Sequence, residues 1–215
     1  MRDKFQSELT EISALLVEMA DAVRTAIRRA TGALLHSEAE LAESVIADDQ
    51  QINACYRRVE ERIYDVVALQ APVASDLRLV LTGLHIAADL ERMGDLAAHV
   101  AKTGLRRHPV PAVPEELTGV VREMANVADQ MAGKISRVLS TPNVARATEL
   151  ERDDDAVDEL HRQLLSTVLG PGWSHGVEAA VDMALLGRYY ERYADHAVNA
   201  GKHIVYLLTG DAVST

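Results

Sequence analysis

The chain has 215 residues, enough for one large domain or two small ones with real cores. Apolar residues make up 48% of it and aromatic residues only 4%; alanine, leucine, valine, glutamate and arginine dominate, which favours helix and speaks against a sandwich or barrel. A net charge of −11 is repelled by a phosphate backbone, which argues against non-specific nucleic-acid binding and leaves a metal cation, a basic protein patch or plain solubility as its use.

The N-terminus, Met1-Arg2-Asp3-Lys4, leads into no apolar signal core. The charge-free stretch near 79–88 is far short of the roughly 20 residues a membrane span needs. A single cysteine, Cys55, rules out an internal disulfide and a Cys-rich zinc site. A cytoplasmic protein is expected.

Leu9, Ile12, Leu16, Met19, Val23, Ala26, Ala30 and Ala33 recur at steps of three and four, one stripe of a long bundle helix. Ser37 with Glu40 reads as a capping box for a second helix, whose stripe runs through Leu41, Val45, Ile52, Val59 and Ile63 and which ends at about Pro72. Ser75 is a candidate cap for a third helix reaching to about Thr103-Gly104. Pro109, Pro111 and Pro114 then mark a connector.

Beyond it the pattern restarts. Leu117, Val121, Met124, Ala128, Met131, Ile135 and Val138 superimpose on 12–33 at a shift of 105 residues. The same shift lays Asp153-Asp154 on Asp48-Asp49, and Val157-Asp158 on Ile52-Asn53. Gly170-Pro171-Gly172 ends the fifth helix, Trp173 anchors that turn, and Ser174 is a candidate cap for a sixth, which matches the third at a shift of 100. The expected fold is all-α: two tandem three-helix bundles, residues 1–108 and 109–215, related as a pseudo-two-fold repeat.

The third helix carries Glu91-Arg92-Met93-Gly94-Asp95 and the sixth Glu191-Arg192-Tyr193-Ala194-Asp195, with Lys102 and Lys202 seven residues after each aspartate. Continuing the stripe Val80, Leu84, Ala87 by threes and fours reaches Glu91 and Asp95; Ala180, Ala184 and Gly187 lead likewise to Glu191 and Asp195. These acids extend the apolar face. Like charges four residues apart repel, more strongly where partly buried, so a counter-charge is required.

The second and fifth helices add Asp49 with Asn53 and Asp154 with Asp158. If they face the third and sixth, each repeat gathers carboxylates from two helices, as bundle metal sites do. All-oxygen ligands suit iron, manganese, magnesium or calcium. Asn53 costs the first site one charge and predicts weaker binding there, while His99 offers it one nitrogen ligand. The alternative is plain ion pairing to Arg92, Arg188, Arg192, Lys102 and Lys202. No Glu-x-x-His pair, Gly-rich phosphate loop or nucleophile–base pairing is present, so an enzyme is not expected. His161 and His196 read as polar-face residues, and Tyr189, Tyr190 and Tyr193 as packing residues with wet hydroxyls.

The stretch Leu69-Gln70-Ala71-Pro72-Val73-Ala74-Ser75-Asp76-Leu77-Arg78-Leu79, followed by Asp89-Leu90-Glu91-Arg92-Met93-Gly94-Asp95, resembles the PhoU family, and among its members the actinobacterial proteins called PhoY. The resemblance spans essentially the whole chain and both repeats. It implies a non-enzymatic regulator that couples the phosphate-specific ABC transporter, through its ATPase PstB, to the sensor histidine kinase PhoR, and that represses the phosphate-starvation response when phosphate is plentiful. Members occur as monomers and homodimers. Some bind iron or zinc clusters through E/D-x-x-x-D motifs, which fall here on Asp154 with Asp158, Glu91 with Asp95 and Glu191 with Asp195; Asp49-x-x-x-Asn53 departs at its last position. A carboxylate-bundle metal protein, storage or di-metal hydrolase, with iron, zinc or magnesium, is the competing expectation; a purely structural scaffold is the third.

Overall fold

The computed structural model describes residues 2–211 and, among them, six helices and no strand. They are α1 (Arg2–His36), α2 (Ala39–Gln70), α3 (Ser75–Arg107), α4 (Glu115–Ser140), α5 (Val144–Val168) and α6 (Gly176–Thr209). α1, α2 and α3 pack on one another, and so do α4, α5 and α6. The two bundles meet where α1 lies against α4 and α3 against α6.

The stripes read from the sequence are the core. Leu9, Ile12, Leu16, Met19, Val23, Ala30 and Ala33 of α1 are buried, with Ile27 taking the place expected of Ala26. All seven stripe residues of α4 are buried. Burying such a face, at roughly 25 cal/mol per Å² of apolar surface, is what fixes helices of this length against each other.

The helix ends differ from the sequence expectations. Ser37 does not cap α2: it turns the chain with φ +56°, and Glu38 sits at the cap without a side-chain bond. A reversal this short spends Ser37 on the turn, leaving its hydroxyl nowhere over the new helix. Ser75 lies inside α3, behind Ala74, and Ser174 lies ahead of the α6 cap His175. The side-chain cap that does form belongs to Asn143, which accepts from the Arg146 amide at 3.1 Å. α3 runs on to Arg107, past Gly104, because nothing stops it before Pro109 and Arg106 and Arg107 favour a C-terminus.

Polar groups pin the joint between bundles. Arg24 donates from Nε and Nη2 to both carboxylate oxygens of Asp129, at 2.9 and 3.0 Å. Positions 24 and 129 are equivalent under the 105-residue shift, so this pair lies on the pseudo-two-fold axis. Asp182 of α6, nearly buried, receives Arg106 at 2.8 Å and Arg107 at 2.5 Å from the end of α3. Tyr190 and Tyr193 are fully buried, not wet: Tyr190 Oη shares a 2.6 Å bond with Thr31 and Tyr193 donates to the Val23 carbonyl at 3.2 Å. Thr31 already donates to the Ile27 carbonyl, so Tyr190 is the donor in that pair. The joint is thick enough to exclude water and supplies the partners itself, and burial pushes both phenols up. Trp173 anchors the α5–α6 turn as expected, donating from Nε1 to the Gly176 carbonyl at 2.9 Å.

Candidate metal centre

In the first bundle, Gly94 sets the distance between α2 and α3. A Cβ at this position would stand 3.0 Å from an Ile52 methyl and 3.2 Å from Asp49 Oδ1. Its absence lets Asp49 settle beside Glu91 and Asp95, and the three acids gather between α2 and α3. Asn53 donates from Nδ2 to Asp49 Oδ2 at 3.1 Å, so it serves Asp49 as a donor. Asp49 Oδ1 is buried and has no hydrogen-bond partner. Burial, then the charge of Asp95, hold the Asp49 carboxyl above its usual range, with Lys102 and the Asn53 bond opposing. Burial and Asp95 do the same to Glu91, against Arg92. Arg92 reaches Asp95 at 2.8 Å and Glu91 at 3.5 Å. His99 spends its Nδ1 proton on the Asp95 carbonyl at 2.7 Å and rests against Tyr189, which leaves Nε2 alone for any further role.

The second bundle repeats the arrangement with fewer cations. Asp154 of α5 faces α6, and its Oδ1 is buried without a partner, at the position equivalent to Asp49. Its carboxyl is pushed up to about 6, by burial first and then by Asp195, Asp158, Asp155 and Glu191. Glu191 pairs with Arg188, one turn back, and His161 Nδ1 stands 3.5 Å from the same carboxylate. Gly187 seats that imidazole: a Cβ here would be 2.7 Å from His161 Cδ2. Among the described residues no Lys, Arg or His nitrogen comes within 4.0 Å of Asp154, Asp158 or Asp195.

The acids therefore meet across α2–α3 and across α5–α6, but not all on the inward face expected of them. Asp49, Glu91, Asp154 and Glu191 are half-buried; Asp158 and Asp195 lie exposed on the rim. Asp195 lies off the α6 core face, which runs through Met183, Leu186, Tyr190, Ala194 and Ala197 and not along the Ala180–Ala184 line, and Asp158 lies off the α5 core face, which runs through Leu150, Val157 and Leu164. Of the cations expected to neutralise the acids, Arg92 and Arg188 do so directly, while Lys202 points to Glu151 at 3.9 Å. His161 and His196 are not idle polar-face residues: His196 Nδ1 meets Asp89 Oδ1 at 3.0 Å across the α3–α6 joint. Tyr56, the equivalent of His161 in the first repeat, likewise lies near Glu91.

Chemically, each cluster is a set of hard oxygen donors with one buried oxygen unpartnered, suited to a hard cation over a soft one. As the side chains stand, no group of three or more His, Cys, Asp or Glu among the described residues is placed to hold an ion. Nor, among the described residues, is any helix long and apolar enough to cross a membrane.

A family model described as the PhoU domain matches the chain twice, over residues 16–103 and 121–204. The phosphate-specific transport system accessory protein PhoU homolog 2 of Mycobacterium tuberculosis is 43% identical over 98% of this chain and 99% of its own. The PhoU homolog of Deinococcus radiodurans is 30% identical over 98% and 99%. Among solved structures, the phosphate transport system regulatory protein PhoU from Streptococcus pneumoniae superimposes with a TM-score of 0.87 at 26% identity, covering 98% of this chain and 100% of that one.

Proposed function

The chain belongs to the PhoU family, and from that premise we propose that it is a cytoplasmic accessory protein of phosphate-specific transport, without enzymatic activity of its own. It represses the phosphate-starvation response by linking the transporter ATPase PstB to the sensor kinase PhoR. The observation that carries this reading is the end-to-end match to proteins named as accessories of phosphate-specific transport, with neither chain leaving a domain unaccounted for. A helical surface of net charge −11 also suits basic patches on partner proteins.

A pull-down of purified PstB and of the PAS-containing part of PhoR on the immobilised chain tests it, with phosphate present and absent. Retention of both partners is expected. Failure to retain either, under both conditions, refutes the proposal.

One observation favours metal as a component of this function: the unpartnered buried oxygens of Asp49 and Asp154 recur at equivalent positions. In that reading Asp154, Asp158, Glu191 and Asp195 hold the tighter ion, and Asp49, Glu91 and Asp95, with Asn53 beside them, the weaker one. A bound iron, zinc or magnesium ion would supply the counter-charge these acids lack and tie the two helices of each cluster together. Elemental analysis of metal-loaded protein decides it: stoichiometric metal lost in Glu191→Ala and Asp195→Ala is expected, and content unchanged by both variants overturns it. Hydrolysis dependent on that metal would instead mark a di-metal hydrolase.

A further inference from the structure

The pseudo-two-fold axis at Arg24 and Asp129 divides the α1–α4 contact into two halves, and the halves are not alike. In one, the helices close on each other. Gly133 admits the Arg24 guanidinium, whose Cζ would lie 3.1 Å from a Cβ there, and Ser136 donates to Asp21 at 2.7 Å. In the other, the helices leave a groove of about 300 Å³ lined by Arg28 and Thr31 of α1 and by Arg122, Asn126 and Gln130 of α4.

The duplicated register shows how the groove differs from its closed counterpart. Arg28 stands where the second repeat has Gly133, Arg122 where the first has Val17, and Asn126 where the first has Asp21. Gly32 stands where the second repeat has Arg137, so, the axis pair set aside, the open half has one more guanidinium group and one fewer carboxylate than the closed half. Asp129 also borders the groove, but both its oxygens are engaged by Arg24 from the axis. Arg28 comes no nearer to it than 3.8 Å, and Arg122 meets no carboxylate within 4.0 Å among the described residues. Even with Glu123 on the rim, held by Asn126 at 3.3 Å, the groove is a cationic spot on a chain of net charge −11.

We propose that this groove binds a small phosphoryl-bearing anion, gripped between the guanidinium groups of Arg28 and Arg122 with the Gln130 amide as a further donor. Guanidinium forks match the spacing of phosphoryl oxygens and bond them in pairs. The volume is at the small end of ligand pockets, which fits an ion or a metabolite rather than a chain. The acidic remainder of the surface turns away long polyanions. The phosphoryl group has two sources, free inorganic phosphate or a nucleotide, and these are separate arms of the test. The proposal stands apart from the partner reading, since binding is measured on the purified chain alone.

The test is calorimetric titration of the full chain with inorganic phosphate and, separately, with ADP, in EDTA and at matched ionic strength. Saturable binding of at least one probe is expected. Arg28→Ala and Arg122→Ala should each weaken it about tenfold, the worth of one charge-assisted contact. Arg122→Lys should keep part of the affinity, and Arg146→Ala, on the exposed start of α5, should keep all of it. Both arginines are exposed, so the variants retain the helical core, which circular dichroism checks. No saturable binding of either probe up to about 10 mM overturns the proposal. Affinity unchanged in the Arg28→Ala/Arg122→Ala double variant overturns it equally.

Discussion

Replacing Asp154 with asparagine isolates the charge conflict in the second acidic cluster. The side chain keeps its shape and its place between α5 and α6 but can no longer ionise. In the folded chain the Asp154 carboxyl is raised from 3.8 to about 6, so the fold prefers it protonated. A group raised in this way lowers stability as pH rises through the interval between the two values, and costs nothing below both. A shift of this size is worth at most ~3 kcal/mol in a dry site. Asp154 is only half-buried, so solvent screening leaves roughly 1 kcal/mol. For a chain of this length that is a rise in Tm of about 2–4 °C. Asp154→Asn should therefore melt higher than the parent at pH 7.5 in EDTA, and the gain should fade as the pH falls from 6 towards 4. Scanning calorimetry at a series of pH values reads it. No gain at pH 7.5, or an equal gain at pH 4, refutes the reasoning. Saturating manganese should reverse the order at pH 7.5 if Asp154 is a ligand, because only the parent then gains from the ion.

Three further substitutions probe the frame around the clusters. Asp182→Ala removes the buried partner of Arg106 and Arg107 at the α3–α6 joint, leaves Arg107 only the exposed Glu178, and should lower stability by about 2–4 kcal/mol in urea unfolding; an unchanged midpoint would show that Glu178 and solvent meet the two arginines. Gly94→Ala drives a methyl to 3.0 Å from Ile52 and should cost roughly 1–2 kcal/mol, with weakened metal uptake in the first cluster alone; equal loss in both clusters would contradict the local origin assigned to it. Ala71→Gly relieves a residue held at φ +46° after α2 and should add about 1 kcal/mol; thermal melts showing a loss would mean the Ala71 methyl packs usefully.

The long helices were legible because their apolar residues repeat at steps of three and four, a pattern that survives without knowledge of the partner helix. The duplication was legible for the same reason, since α1 and α4 match residue for residue at one shift. Caps were not: Ser37 and Ser75 have the right side chains, but the turns at Ser37 and Ala74 adopt positive φ and place those hydroxyls elsewhere. The acidic pairs were found from their spacing, whereas the exposure of Asp158 and Asp195 depends on which faces of α5 and α6 meet the neighbouring helices, which no local pattern contains. His161 beside Glu191 joins the neighbouring helices α5 and α6, and His196 beside Asp89 joins α6 to the distant α3. Only the three-dimensional packing reveals them.

The ion pair on the pseudo-two-fold axis bears on which assemblies the repeats permit. An axis brings equivalent positions face to face. Two copies of the first repeat joined in the same way would set Arg24 against Arg24, and two copies of the second would set Asp129 against Asp129. Each self-pairing traps like charges in a half-buried joint, while the mixed pairing satisfies both groups with two short bonds. The divergence of one position within a duplicated sequence has thus made the halves complementary rather than interchangeable. A dimer of whole chains that each keep this joint within themselves has to form through some other surface, and a single repeat released by proteolysis would find its charge complement in the opposite half.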